Sequence, residues 1–261
     1  MSLSLRGIGV SKGIAIGKAY LLKSGGVEVN EYIVPRPLVP EEVTRYRTAL
    51  KKAKQQLRKI RKQIPVSTPG DIIAFIDAHM LMLEDTALSV APIKIIKEQQ
   101  CNAEWALQLQ RNSLIEVFDS MDDPYLRTRK DDVDHVINRI QKSLQEETSH
   151  HPVEKDQWLK GSVVISYDLA PADIIQLHNQ GAGAFVTAYG GPTSHTAIMA
   201  KSLGIPALVG IHDVHHYINH NELIVIDAHH GTLLAGIEHA RIDIFREQQI
   251  KKTHHQAPAT K

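Results

Sequence analysis

The stretch Leu5-Arg6-Gly7-Ile8-Gly9-Val10-Ser11-Lys12-Gly13-Ile14-Ala15-Ile16-Gly17-Lys18-Ala19-Tyr20-Leu21-Leu22-Lys23 decides the fold. Its glycines and β-branched residues predict two short strands around a turn at Ser11-Lys12-Gly13. Gly7, Gly9, Gly13 and Gly17 do not form a Gly-x-Gly-x-x-Gly loop running into a helix. They predict close strand crossing instead of a dinucleotide cradle. Two strands need a sheet to join, and the segment that follows cannot supply one.

After a connector broken by Pro35, Pro37 and Pro40, Val43, Tyr46, Leu50, Ala53, Leu57, Ile60 and Ile64 recur at spacings of three and four. That is one apolar stripe on a long helix whose other faces carry Lys and Arg. A second helix carries Ile73, Ile76, Met80 and Leu83 as its stripe. Phe75, Leu81, Met82 and Leu88 fall outside it and form an apolar patch beside His79. Such a patch is either buried against another helix or a docking surface. A third helix, capped by Asn102, carries Leu107, Leu114, Phe118 and Met121. A fourth, starting at Asp122-Asp123-Pro124, carries Leu126, Val133, Ile137, Ile140 and Leu144. Four amphipathic helices predict a bundle or a pair of helical hairpins. Gln145 to Gln157 is a polar linker out of it.

From Ser162 the pattern becomes short strands alternating with short helices. Strands are predicted at 162–166, 184–187, 207–209, 223–227 and near Leu233, with helices after Pro171, after Thr193 and around Val214. The N-terminal strands therefore belong to this later sheet. The reading is a discontinuous α/β domain, 1–24 and 145–236, with an all-α domain, 25–144, inserted. Residues 237–261 form a closing helix and a frayed polar tail.

Composition narrows the function classes. With 30 basic and 29 acidic residues the chain has almost no net field, which argues against nucleic-acid binding. No apolar run reaches the length of a membrane span and no signal peptide is evident. The single cysteine, Cys101, excludes an internal disulfide and a cysteine-based zinc site, and points to a cytoplasmic setting. Four adjacent pairs, His150-His151, His215-His216, His229-His230 and His254-His255, are poor chelates, and no His-Glu-x-x-His spacing occurs. No metal site is expected.

Chemistry concentrates in Gly190-Gly191-Pro192-Thr193-Ser194-His195-Thr196-Ala197-Ile198-Met199-Ala200. Thr193 reads as an N-cap, which sets His195 in a first helical turn where backbone N–H groups suit a phosphate-sized anion. Either His195 merely caps or packs, or its imidazole carries a phosphoryl group. In the second case the N–H groups and the Ser194 and Thr196 hydroxyls hold the oxygens.

This stretch resembles the phosphohistidine signature of phosphoenolpyruvate-utilising enzymes. The Gly-Ile-Ala-Ile-Gly-Lys start, His79-Met80-Leu81-Met82-Leu83-Glu84-Asp85, Asp123-Pro124-Tyr125-Leu126, Asp168-Leu169-Ala170-Pro171 and Gly204-Ile205-Pro206-Ala207 follow in family order. Together they resemble the N-terminal half of enzyme I of the bacterial sugar phosphotransferase system. The resemblance implies an α/β swivelling domain whose His195 takes phosphoryl from phosphoenolpyruvate and passes it to the phosphocarrier HPr. It implies phosphate support from Gly191, Thr193, Ser194, Thr196 and Lys201, and an HPr surface of His79, Leu81, Met82, Leu88, Phe118 and Arg129. The phosphoenolpyruvate barrel, with its Mg2+ and dimer interface, would lie C-terminal to this chain, which is expected to be monomeric and free of a cofactor of its own. Ala170 stands where relatives have a threonine that orients the histidine, so a backbone carbonyl or another hydroxyl is expected to do so here. Pro192 and Lys201 replace arginines of the family pattern. Two alternatives stay open: a carrier domain of a dikinase-type enzyme, and a regulator-binding module without catalysis. The sugar-uptake and nitrogen-regulatory branches are not separated by these residues.

Overall fold

The structure, a computed structural model, describes residues 2–22, 29–64, 70–123, 129–148, 159–237 and 245. The chain divides into two compact units. One comprises Met1–Ser24, Ser67–Pro69 and Glu154–Lys261; the other comprises Gly25–Val66 and Gly70–Val153.

The first unit is an α/β domain. Its strands are β1 (Leu3–Arg6), β2 (Ile8–Gly9), β3 (Ile14–Leu21), β4 (Val163–Ser166), β5 (Ala184–Thr187), β6 (Ala207–Val209), β7 (Leu223–Asp227) and β8 (Thr232–Ala235). They form one sheet in the order β1-β8-β7-β3-β4-β5-β6-β2. The run β3-β4-β5-β6 is parallel and every other pairing is antiparallel. The predicted N-terminal hairpin does not form: β1, β2 and β3 pair with β8, β6 and β7/β4, and not with one another. β3 is central, and its pairing with β4 and β7 ties residues 14–21 to residues 163–165 and 223–227.

β1 and β2 occupy opposite ends of that order although only Gly7 separates them, so the sheet curls until its edges meet at Gly7. Closure demands close backbone approach. The Gly7 N–H donates to the Gly231 carbonyl at 2.9 Å, and a Cβ on Gly9 would run into the Ala228 carbonyl. The expected close crossing is met here. β4 and β5 are buried throughout, as parallel strands covered on both faces must be.

The second unit is helical. A 3-10 turn at Arg36–Leu38 leads into α1 (Val39–Gln63), followed by α2 (Gly70–Glu84), α3 (Thr86–Ser89), α4 (Ala91–Gln99), α5 (Ala103–Asp119) and α6 (Lys130–Thr148). The α1 stripe is buried as the periodicity predicts, from Val43 through Tyr46, Leu50, Ala53 and Leu57 to Ile60. Between the second and third predicted helices the structure inserts α3 and α4, which the sequence reading passed over. Asp85 starts α3 by accepting from the Ala87 N–H at 2.7 Å, Pro92 fits the first turn of α4, and Gln100 in the left-handed conformation ends it.

On α2 the buried stripe is Ile72, Ile76, His79 and Leu83, with Ile73 and Met80 only half-buried, so the helix is rotated from the expected register. A histidine occupies a core position, which hydrophobicity alone does not anticipate. α6 continues to Thr148, past the predicted linker start at Gln145. Gln and Glu are good helix formers, and polarity does not end a helix. Val133, Ile137, Ile140 and Leu144 are buried as expected, while Leu126 lies outside the described residues, as does nearly all of the predicted closing helix and tail.

Candidate functional site

The site lies where β4 and β5 end. The Ala188 N–H donates to Ser166 O and the Tyr189 N–H to Tyr167 O, both at 3.0 Å, lacing the two strand exits together. Thr187 Oγ1 donates to Tyr189 O at 2.7 Å and turns the chain out of the sheet. Gly190 follows at φ +101°, where a Cβ would also crowd Ser194 Oγ at 3.1 Å. Ser194 N–H donates to Gly191 O at 3.0 Å, closing a turn over exposed Pro192 and Thr193.

A helix, α8 (His195–Leu203), starts at once. Its cap is Ser194 and not Thr193: Ser194 Oγ accepts from the Ala197 N–H at 3.3 Å, with the extended backbone a cap requires. His195 is thus the first helical residue and is half-buried. Thr196, the second, is 1% exposed, and its Oγ1 has no hydrogen-bond partner among the described residues. A buried hydroxyl without a partner costs free energy unless something occupies the position it faces. Gly191 and Thr193 complete the turn ahead of the helix, where the first N–H groups of α8 stand.

Lys201 does not join them. It is exposed in the last turn of α8, six residues beyond His195, hence about 9 Å along the axis and roughly 240° around it. There it complements the negative helix end.

Ala170 caps another helix, α7 (Pro171–Asn179), without a side-chain bond. Its carbonyl accepts from the Asp173 and Ile174 N–H groups at 3.0 and 3.1 Å. The turn into α7 is held from behind by Ser166 Oγ, which donates to Asp168 O at 2.7 Å.

One feature was not anticipated. Tyr167 and Tyr189, at the two strand exits, form an aromatic rim with the histidines of the segment 212–215. Tyr167 stacks on His215 with centroids 4.1 Å apart, and Tyr189 lies 6.1 Å from both Tyr167 and His212. His215 is the second residue of the four-residue helix α9 (Val214–Tyr217). Burial holds its imidazole below the ordinary pKa; a hydrogen bond with the Ser166 backbone opposes this and His216 adds to it. The sequence signal was the His215-His216 pair, weighed only as a chelate.

The residues assigned to partner binding separate. Leu81 is 68% exposed, and Met82, Phe118 and Arg129 are half-buried. His79 and Leu88 are core residues, 2% and 3% exposed, which removes them from any surface. Leu88 is held by the short helix α3, and its carbonyl accepts from Tyr46 Oη at 2.6 Å. His79 faces α6, with Nε2 3.3 Å from Asp132 Oδ1, and Arg129 donates to the other carboxylate oxygen at 3.0 Å.

Residues 6–129 match the N-terminal domain model of phosphoenolpyruvate-utilising enzymes, and residues 159–231 match the mobile domain model of the same enzymes. The chain belongs to the phosphoenolpyruvate-utilising enzymes. It is 35% identical over 258 residues to a phosphoenolpyruvate-protein phosphotransferase of Cupriavidus necator, covering 97% of this chain and 44% of the relative. A protein of the same name from Listeria monocytogenes is 37% identical over 234 residues, covering 90% and 40%. The chain therefore spans less than half the length of these relatives. Among solved structures, a solution structure of enzyme I superimposes with a TM-score of 0.74 at 29% identity, covering 95% of this chain and 99% of that one. The N-terminal domain of a nitrogen-type enzyme I shares the fold, with a TM-score of 0.66 at 21% identity. For this member of the family, the mobile-domain match contains the whole His195 turn and the aromatic rim.

Proposed function

We propose that this chain is the phosphoryl-carrying N-terminal portion of a phosphoenolpyruvate-protein phosphotransferase, with His195 as the carrier. The observation that carries the reading is the position of His195: the first residue of α8, behind a glycine-built turn, next to the buried Thr196 hydroxyl. A ring nitrogen attacks phosphorus as the P–O bond to enolpyruvate breaks, and pyruvate leaves as its enolate. In the second step an imidazole nitrogen of HPr attacks the same phosphorus and the His195 N–P bond breaks. Both carriers are phosphohistidines, so this transfer is close to thermoneutral and reversible.

The transferring phosphoryl is met by helix-start N–H groups of α8, with Gly191, Thr193, Ser194 and Thr196 around it. With no hydroxyl at Ala170, a backbone carbonyl or a neighbouring hydroxyl sets the His195 ring. Phosphoenolpyruvate and Mg2+ belong to a C-terminal portion beyond this chain. HPr docks on the helical unit at Leu81, Met82, Phe118 and Arg129. The setting is the cytoplasm, and this portion acts as a monomer.

The test is transfer from radiolabelled phospho-HPr to this chain. Acid-labile label on the wild type, absent from His195→Ala, is the expected outcome. An unlabelled wild type, or an equally labelled His195→Ala, refutes the assignment.

A further inference from the structure

His79, Asp132 and His135 converge inside the helical unit, whereas His195 belongs to the other unit. Each offers one ligand atom, and the three atoms lie within 4.8 Å of one another. We propose that they form a binding site for one divalent transition-metal ion of the zinc and cobalt class.

The set suits such an ion chemically. Two imidazoles and one carboxylate make the mixed nitrogen–oxygen environment that Zn2+ and Co2+ take, with a fourth position left for water. The geometry agrees. His79 Nε2 and Asp132 Oδ1 are 3.3 Å apart, longer than a good N–H···O bond. That is the edge of a tetrahedron whose metal bonds are about 2.0–2.1 Å, an edge of roughly 3.3–3.4 Å. Asp132 and His135 are three residues apart on α6, so they project from one face, and His79 meets them from α2. The other two separations, each at most 4.8 Å, close by side-chain rotation of His135, which is half-buried and gives the ion its way in.

The surroundings are those of a supported metal ligand. Asp132 is 3% exposed and uses its second oxygen for the Arg129 guanidinium at 3.0 Å. That contact orients the carboxylate and leaves Oδ1 toward the histidines. His79 and Asp132 are themselves buried, as are Ile76, Val133, Val136 and Ile137 on the same two helices, so the set is not a solvated acidic patch. The sequence conceals the site because its parts are 53 positions apart and none belongs to the adjacent histidine pairs.

The experiment is Zn2+ titration of the full chain carrying His254→Ala and His255→Ala, which removes weak chelation by the tail. Calorimetry is followed by Co2+ substitution and visible spectroscopy. Saturation at one ion per chain, with the intense bands of four-coordinate Co2+, is expected. His135→Ala, the ligand least needed for the core, should keep its helical circular dichroism and lose Zn2+ affinity by more than about 100-fold. Arg129→Gln should lose about 10–100-fold, as supporting contacts to metal ligands do. Absence of one-to-one binding, six-coordinate Co2+ spectra in the parent chain, or unchanged affinity in His135→Ala would each overturn the proposal. The Co2+ spectrum of the parent chain decides the matter even if a variant does not fold.

Discussion

The Tyr46 hydroxyl donates to the Leu88 carbonyl at 2.6 Å, with both residues buried, and so fastens the long helix α1 to the short helix α3. Burial pushes the Tyr46 phenol well above its ordinary pKa, so it stays a donor across the working pH range. Tyr46→Phe leaves a buried carbonyl unsatisfied and should cost about 1–3 kcal/mol in denaturant unfolding. Leu88→Ala should cost about 2–5 kcal/mol by leaving a cavity. Leu81→Ala, at an exposed position, should change stability by less than about 0.5 kcal/mol and weaken HPr binding. Calorimetric titration with HPr after denaturation measurements separates the two; strong HPr loss in a fully stable Leu88→Ala would contradict this assignment.

The start of α8 depends on Ser194 and Gly190. Ser194→Ala removes the cap and should cost about 1 kcal/mol. Gly190→Ala puts a side chain at φ +101° and against Ser194 Oγ, with a cost of about 1–3 kcal/mol. Thermal unfolding of the two variants checks this. A stable Gly190→Ala would mean the turn has room to relax.

Thr196 separates a packing role from a chemical one. Thr196→Val keeps the shape and removes a hydroxyl that has no hydrogen-bond partner among the described residues, so stability should hold or rise. If the hydroxyl holds a phosphoryl oxygen, transfer from phospho-HPr should slow by roughly 10–100-fold, the value of one hydrogen bond to a charged group of about 1.5–3 kcal/mol. Rapid-quench labelling measures the rate, and an unchanged rate would return Thr196 to packing alone.

Asp227 caps the turn from β7 to β8. Burial disfavours its ionised form, but the His230 ring, 2.7 Å away, and the backbone N–H groups of His230 and His229 outweigh that and lower its pKa. A carboxylate with a lowered folded pKa contributes stability that is fully present above its unfolded value near 3.9. That contribution is lost as pH falls through the folded value. Asp227→Asn should therefore be less stable than wild type by about 1–3 kcal/mol at pH 7. The gap should narrow below about pH 4. Unfolding curves across pH 3–7 test this, and a gap independent of pH would assign the effect to shape rather than charge.

Much of the fold was legible because period carries it. The α1 stripe and the strands at 163–166, 184–187, 207–209 and 223–227 needed only hydrophobic spacing and punctuation. Strand pairing was not legible, because β1 and β2 are short, largely exposed and find partners more than 190 positions away. The α3 and α4 helices were missed because Asp85 and Pro92 restart the chain within a run that reads as one apolar segment. At the site, His195 was legible from its motif. The cap was misplaced by one residue because Thr193 and Ser194 are equivalent by residue type, and only the backbone angles separate them. His79 and Leu88 were misassigned to a surface because an apolar run around a histidine reads the same whether it faces water or core.

The closed sheet also dictates an order of events during synthesis. β1 is made more than 220 positions before its partner β8, which ends at Ala235, and β3 waits for both β4 and β7. The helical unit draws its core from residues that have all been synthesised before β4 is translated. The helices can therefore pack while the α/β domain still holds three unpaired strands at its N-terminus. A premature stop between 148 and 223 would release a chain with a finished helical unit and an open, strand-exposing remainder, the form that chaperones and proteases would meet first.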